Sequence, residues 1–443
     1  MAINKPMAAS RSSDDVLRRM REDWNERARE DAHYYVAFGR RDQDSEEFFS
    51  TGHEQVEGLR REMRRLQPSS PRARRALEIG CGPGRLMRPL SAHFGEIHGV
   101  DISDEMVARA RENLRGVAHA HVHVAESSDL AAFADDSFDF VYSYAVFQHI
   151  PSRDVVFHYM TEARRVLKPG GILRCQLNGL PEDSKRCDTW SGARIQAAEI
   201  DAFAWEQDMQ LLALEGVDTQ YMWATMRKQP RGWRLRPREI VPGSANVRRI
   251  TNAHSSEPVA PVSGRFAALA LWVENLTEDA DIEFLSVRAG GKQAFISYLG
   301  HPDPDSLQQL NIHLPSGLPT GLVQVEIRWG EIILSAPAYA RIIPAPPLVP
   351  RVVSVTDGID LMSGVHMTSG AVKVTIDEVE DPSAFQATVT GVPISGYEIF
   401  CIDPRIPRYE VNFHLPTNLP SGSHRFEFFA GSRRLGEVSF TTA

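Results

Sequence analysis

The chain has 443 residues, is 42% hydrophobic and 24% charged, and carries a formal net charge of −9. One hydrophobic core rarely grows past roughly 250–300 residues, so two or three domains are expected. The acidic balance argues against general electrostatic binding of nucleic acid, and no apolar run approaches the ~20 residues that span a bilayer.

Residues 1–13 contain Lys5 and Arg11 but no apolar stretch of a secretory signal. The cysteines Cys81, Cys175, Cys187 and Cys401 are scattered and form no CxxC pair, which disfavours a disulfide framework or a structural zinc site. The chain reads as cytoplasmic and reduced. Residues 14–66 are rich in helix formers and in charges of both signs, with Val16, Leu17, Met20 and Trp24 near helical spacing. Their mixed signs describe a solvated helical arm rather than a basic arm for nucleic acid.

From 76 to about 228 strands and helices alternate. Strands are expected at 76–79, 97–100, 121–125, 138–144 and 172–177. Helices are expected at 86–94, at 104–114 behind a Ser103 cap, and from Ser152 to Leu167, where Lys168-Pro169-Gly170-Gly171 stops the last one. This order implies a mostly parallel sheet covered on both faces. A helix at 196–208 precedes strands at 211–214 and 220–225, which lie too close for a parallel crossover and must be antiparallel.

At Pro230, Pro237 and Pro242 helical periodicity ends, and short β-rich runs with Pro and Gly turns follow. The segment Asn311-Ile312-His313-Leu314-Pro315-Ser316-Gly317-Leu318-Pro319 returns 101 residues later as Asn412-Phe413-His414-Leu415-Pro416-Thr417-Asn418-Leu419-Pro420. That offset suits an immunoglobulin-like sandwich repeated in tandem, joined near Ala345-Pro346-Pro347. The expected layout is a helical arm at 1–75, an α/β domain at 76–230, and β-sandwiches at 231–345 and 346–443.

Gly80, Gly82 and Gly84 follow a buried strand and open a helix, where glycine admits positive φ and lets backbone approach a ligand. Asp101 ends the next strand, at the carboxyl edge where open α/β sheets bind ligands, and a carboxylate there can accept both hydroxyls of a ribose. The run Leu77-Glu78-Ile79-Gly80-Cys81-Gly82-Pro83-Gly84-Arg85 resembles motif I of class I S-adenosylmethionine-dependent methyltransferases. Three further stretches resemble later motifs of that family in the same order. They are Ser127-Ser128-Asp129-Leu130, Asp136 through Ser143, and Glu162 through Gly171. The resemblance covers roughly residues 14–228. It implies a Rossmann-like seven-stranded α/β domain whose sheet ends in a reversed strand, S-adenosyl-L-methionine as cofactor, and methyl transfer as the activity.

The resemblance carries cofactor contacts to Glu78, Gly80, Cys81, Gly82, Gly84, Arg85, Asp101, Ile102, Met106, Asp129, Leu130, Ser143 and Tyr144. Within it Asp101 is the ribose acid, and Asp129 with the Leu130 backbone holds the adenine; Glu126 competes with Asp129. Cys81 is a small filler rather than a nucleophile. Tyr144, Phe147, Gln148 and His149 follow the fourth strand, where the acceptor should enter. His149 is the candidate general base, although related sequences more often use this histidine to shape the pocket. Trp24, Tyr34 and Tyr35 in the arm either cap the cofactor or pack on the sheet. His119, His121 and His123 alternate in one line, a poor shell for a tetrahedral metal, so no metal site is expected.

Two functions from different classes fit. One is a methyltransferase acting on a small-molecule or glycan acceptor. The other is a non-catalytic binding protein whose sandwich repeats do the work and contact protein, carbohydrate or a second subunit. An Asn/Asp-Pro-Pro-Tyr/Phe motif of nucleic-acid amino-methylating enzymes is absent; Ser143-Tyr144-Ala145-Val146 stands in its place.

Overall fold

The computed structural model describes residues 13–37, 44–181, 187–358, 364–403 and 407–442. The signal-peptide reading falls on residues outside this set, apart from Ser13. The chain divides into two compact units. One comprises Met1–Val36, Ser45–Asn178 and Glu182–Ile195, and the other comprises Ala37–Asp44, Gly179–Pro181 and Gln196–Ala443.

The first unit opens with α1 (Ser13–Ala37), α2 (Ser45–Ser50) and α3 (His53–Met63). α1 kinks at Asp31, whose backbone is non-helical (φ −165°, ψ 90°) and whose Oδ1 accepts the Tyr34 N–H at 3.0 Å, restarting the helix as a cap would. Five strands follow: β1 (Arg75–Ile79), β2 (Glu96–Asp101), β3 (Ala120–Val124), β4 (Phe138–Ser143) and β5 (Leu167–Leu177). They pair in parallel in the order β3-β2-β1-β4-β5. The chain winds outward from β1 to β3, then crosses to the other side, so β1 and β4 flank the switch point where such sheets bind ligands. The strands read as near-continuous apolar runs because both faces are buried; Leu77, Ile97, Phe140, Val141 and Leu173 are fully enclosed.

Between the strands, α5 (Asp104–Asn113) and α6 (Arg153–Val166) begin on the expected caps: Ser103 Oγ accepts the Met106 N–H and Ser152 Oγ the Val155 N–H. The helix expected at 86–94 is instead one α-turn, α4 (Met87–Leu90), continued by a 3₁₀ turn at Ser91–His93. Ser91 Oγ donates to the Arg88 carbonyl and competes with continuation of the helix. The turn expected at 168–171 lies within β5, where Gly170 (φ +81°) absorbs a register shift against β4.

The second unit begins with α7 (Ala197–Glu206), whose capping box joins Gln196 and Glu199. An antiparallel hairpin follows, β6 (Met209–Glu215) and β7 (Met222–Lys228). The remainder is all β. A first module holds β8 (Asn246–Asn252), β9 (Val259–Pro261), β10 (Ala268–Glu274), β11 (Leu285–Ala289), β12 (Lys292–Leu299), β13 (Leu307–His313), β14 (Gly321–Trp329), β15 (Ile332–Ile333) and β16 (Ala338–Ile343). A second holds β17 (Arg351–Asp357), β18 (His366–Met367), β19 (Ala371–Asp377), β20 (Phe385–Val389), β21 (Val392–Pro393), β22 (Glu398–Asp403), β23 (Arg408–His414), β24 (Gly422–Ala430) and β25 (Arg433–Thr442).

The internal repeat extends to the strand pairings. Antiparallel β8-β10-β13-β12 answers β17-β19-β23-β22, and β9-β16-β14-β11 answers β18-β25-β24-β20. A parallel strand pair recurs as well, Arg341 beside Val259 in the first module and Thr441 beside His366 in the second. The second module closes two sheets over Val372, Val374, Ile376, Phe413, Phe426, Phe428 and Phe440. The first differs at one strand: β12 runs unbroken and pairs with both β11 and β13, whereas β21 and β22 share those tasks in the second. Tyr298 of β12 also pairs with Ala213 of β6, which makes the hairpin and the first module continuous.

A buried arginine secures that junction. Arg234 lies beside Asp281 (3.2 Å) and Glu283 (2.5 Å), and its guanidinium faces Trp205, Trp233 and Phe284 at 5.1–5.3 Å. Asp281 Oδ2 in turn accepts the Leu211 N–H of β6 at 2.7 Å.

Candidate functional site

The site forms at the carboxyl ends of β1, β2 and β4. Gly80, Gly82 and Gly84 all adopt left-handed φ (75°, 50° and 86°), which other residues reach only with strain. At Gly80 a Cβ would also fall 2.3 Å from Val146 Cγ2. At Gly82 it would fill the gap between the loop and α1, 3.4 Å from Val36 Cγ2. The loop is a cradle that side chains would occupy.

Two acids face this cradle. Glu78 is buried on β1, opposite Tyr142 of β4, and its Oε2 accepts the Tyr142 hydroxyl at 2.8 Å. Burial pushes its carboxyl up to about 8, against the pull of the tyrosine hydrogen bond and of Arg85. Asp101, at the end of β2, accepts the Gly82 N–H on Oδ2 (2.8 Å) and the Ser103 N–H on Oδ1 (2.9 Å). Desolvation raises it to about 6 despite those bonds. The carboxylate retains acceptor capacity for a ligand hydroxyl.

Of the other expected contacts, Cys81 is buried and its thiol is raised well above its ordinary value, chiefly by burial, so it is inert. Arg85 is buried, donates to the Thr51 carbonyl and hydroxyl (3.2 Å each) and faces the Tyr144 ring at 5.4 Å. Ser143 Oγ donates to the Ile79 carbonyl, and Ile102 is buried beside Asp101. Met106 packs with Ala28, Ala32, Trp24 and Val36, the apolar seat of α1. Asp129 is exposed and held by the Ser127 hydroxyl (2.6 Å) and the Ala131 N–H. The Leu130 N–H donates to Glu162 Oε2 and its carbonyl accepts Arg165, so this backbone is already committed.

The arm reaches the site along its length. Arg21 donates to the Ala125 carbonyl (2.8 Å), Asn25 Oδ1 accepts from Ser103 Oγ (2.6 Å) and the Glu105 N–H, and Arg29 pairs with Glu105. The Trp24 ring meets His149 edge-on at 5.9 Å. Tyr34 is buried packing, and Tyr35 donates locally to Glu30. The sequence reading missed Arg27, whose guanidinium lies over Trp24 (4.6 Å) and Trp190 (5.5 Å), and Thr189, which ties Arg27 to Asp23. These partners are some 160 residues apart in sequence, and no spacing rule joins them.

Beyond β4, Ala145 holds a left-handed φ of 54°, an outlier of the kind that concentrates at functional turns. The next turn presents Phe147, Gln148 and His149, all buried. His149 Nδ1 lies 2.9 Å from the Trp190 carbonyl, and burial lowers the imidazole to about 4, so it is neutral at pH 7. Among the suspected histidines, His119 bonds the Ser91 carbonyl, apart from the others. His123 joins His98 and Glu96 at the β2–β3 edge. Among the described residues no group of three or more His, Cys, Asp or Glu side chains has a metal-holding arrangement, and no helix is long and apolar enough to cross a membrane.

A left-handed glycine loop, a ribose-height acid on the next strand and a switch point between β1 and β4 define an open α/β domain that binds a nucleoside-type cofactor. Residues 77–175 match the family model described as a methyltransferase domain. Phosphoethanolamine N-methyltransferase 2 of Caenorhabditis elegans is 34% identical over 122 residues, 27% of each chain. Trans-aconitate 2-methyltransferase of Variovorax paradoxus is 33% identical over 133 residues, 29% of this chain and 46% of that one. Among solved structures, the YcgJ protein of Bacillus subtilis is similar at 23% identity and a TM-score of 0.32, covering 37% of this chain and 71% of that one. The chain spans roughly a quarter to a half of the length of these curated relatives. The first unit carries an S-adenosylmethionine-dependent methyltransferase domain.

Proposed function

We propose that the whole chain is a methyltransferase that passes the methyl group of S-adenosylmethionine to a small-molecule or glycan acceptor by in-line displacement. The observation that carries this reading is the pair of desolvated acids, Glu78 and Asp101, around the left-handed glycine cradle. Both are raised because burial leaves their charge poorly compensated, and a cationic cofactor supplies the missing counter-charge. The bound cofactor provides an electrophilic sulfonium methyl. Asp101 holds ribose hydroxyls, Asp129 reaches the adenine, and Glu78 sets the charge of the cradle. Arm residues Trp24 and Val36 exclude water and hold the partners close, from which most of the acceleration follows.

His149 fits a pocket-shaping role better than that of a base in this reading, being neutral and committed to the Trp190 carbonyl. The immunoglobulin-like repeats add a surface for protein contacts or self-association, and the cytoplasm is the expected compartment. Calorimetric titration of S-adenosylmethionine into the full chain tests the core claim, with micromolar binding expected. A labelled-methyl transfer screen over size-fractionated lysate of the source organism then finds the acceptor. No binding, or binding without transfer to any fraction, sinks the proposal.

A further inference from the structure

The residues around His149 form a one-way hydrogen-bond chain. The Trp190 carbonyl can only accept, so His149 Nδ1 carries the proton. Burial keeps the ring neutral, which leaves Nε2 bare and able only to accept. Gln148 approaches that nitrogen at 3.3 Å and therefore offers its amide Nε2–H₂. The orientation of the Gln148 amide is thus decided, and Oε1 is the end left over. That oxygen is buried and has no hydrogen-bond partner. Gln148 itself is 6% exposed.

Gln148 is held in place from behind. Its carbonyl accepts the Gly192 N–H at 3.0 Å, and a Cβ on Gly192 would stand 2.5 Å from the same carbonyl. The turn lies at the carboxyl end of β4, on the edge that carries the cofactor cradle, beneath Trp24. A buried carbonyl oxygen without a partner is destabilising unless something arrives to donate to it. Trp24 and Trp190 both meet the His149 ring, and the Arg27 guanidinium lies over both indoles.

We infer that Gln148 Oε1 recognises a hydroxyl or amine N–H on the methyl acceptor. This deepens the proposed function and rests on it. Gln148 is a specificity residue. A neutral amide takes no proton, so it reads the donor and leaves deprotonation to solvent.

The test uses the full chain saturated with S-adenosylhomocysteine, and phenol and its methyl ether anisole as probes, with binding read by saturation-transfer difference NMR. Phenol should bind at least tenfold more tightly than anisole. Q148M keeps the side-chain length and drops the carbonyl; it should bind S-adenosylhomocysteine as the parent does and lose the preference. Q148L, which also drops the carbonyl, serves as a second variant if Q148M fails to hold cofactor, and should lose the preference as well. Cofactor binding with no phenol preference, or a preference that survives in Q148M, overturns the inference and leaves the methyltransferase reading standing. Failure of the parent chain to bind S-adenosylhomocysteine overturns the functional reading itself.

Discussion

Glu78 and Tyr142 lie directly opposite each other on β1 and β4, joined by a 2.8 Å hydrogen bond and both cut off from solvent. The pair spans the two strands that flank the switch point. The tyrosine hydroxyl can donate only to an acceptor, which glutamine would supply equally well. In the cofactor-free fold Glu78 is raised to about 8, above its ordinary 4.5, so the folded state holds its proton more tightly than the unfolded one. Stability therefore falls as pH rises from about 4.5 to about 8. E78Q removes that loss, and thermal melts of cofactor-free protein should show it more stable than the parent at pH 8 by on the order of 4 kcal/mol, with the gain falling below about 1 kcal/mol near pH 5.

Cofactor affinity should move the opposite way. A cation favours ionised Glu78 and Asp101, so binding strengthens as pH rises through about 6 and again toward about 8. Titration of S-adenosylmethionine from pH 5 to 8.5 should show two rises, each approaching tenfold per pH unit at its steepest. D101N should abolish the lower one and E78Q the upper. A flat profile in the parent contradicts the assignment of both acids.

His149 is depressed to about 4, so its neutral form stabilises the fold above pH 6.5 and that contribution is lost as pH falls toward 4. Between pH 6 and 9 it does not titrate. H149A should raise KM for the acceptor about tenfold while leaving the shape of the pH–rate profile unchanged. A basic limb that disappears in H149A would instead make it the base.

Removing Arg234 leaves buried Asp281 and half-buried Glu283 without their cation. R234M should destabilise the second unit by about 3 kcal/mol or more. The cost should be larger at pH 8 than at pH 5, because Asp281 and Glu283, raised to about 6 and about 8, ionise across that range. Urea melts at the two pH values measure the difference.

The second β-module has its own apolar core. Residues 346–443 should fold alone with a cooperative transition. F426A, which empties a fully buried position stacked on Phe440, should cost about 3–5 kcal/mol in that fragment. In the full chain it should leave S-adenosylmethionine affinity unchanged. A fragment 231–443 should be less stable than 196–443, since it loses the Leu211–Asp281 bond and the β6 partner of Tyr298.

Much of the first unit was legible because its signals are local. Buried parallel strands are short apolar runs, Ser103 and Ser152 are caps, and the glycine loop needs its residues at fixed offsets. The repeat was legible through the Asn-x-His-Leu-Pro segments, which turn out to end β13 and β23. Longer-range facts were hidden. Nothing near Leu130 announces that Glu162 takes its N–H, and nothing near Arg27 points to Thr189 and Trp190. The hairpin at 209–228 reads as the end of the first domain's pattern, yet its outer partner Tyr298 comes some 85 residues later in sequence. Such pairings depend on the closed fold and leave no periodic trace.

The way α1 is seated has a kinetic consequence. It buries Leu17, Met20, Ala28, Ala32 and Tyr34, while Arg21, Asn25 and Arg29 make polar contacts along its rim. Elements held in part by exposed polar contacts open before a sheet buried on both faces. The arm should detach far more often than the sheet melts, and its amide protons should exchange with solvent first. Cofactor then has a route in and product a route out that leaves the strands intact, and the lifetime of the closed arm sets how long the methyl donor and its acceptor stay together.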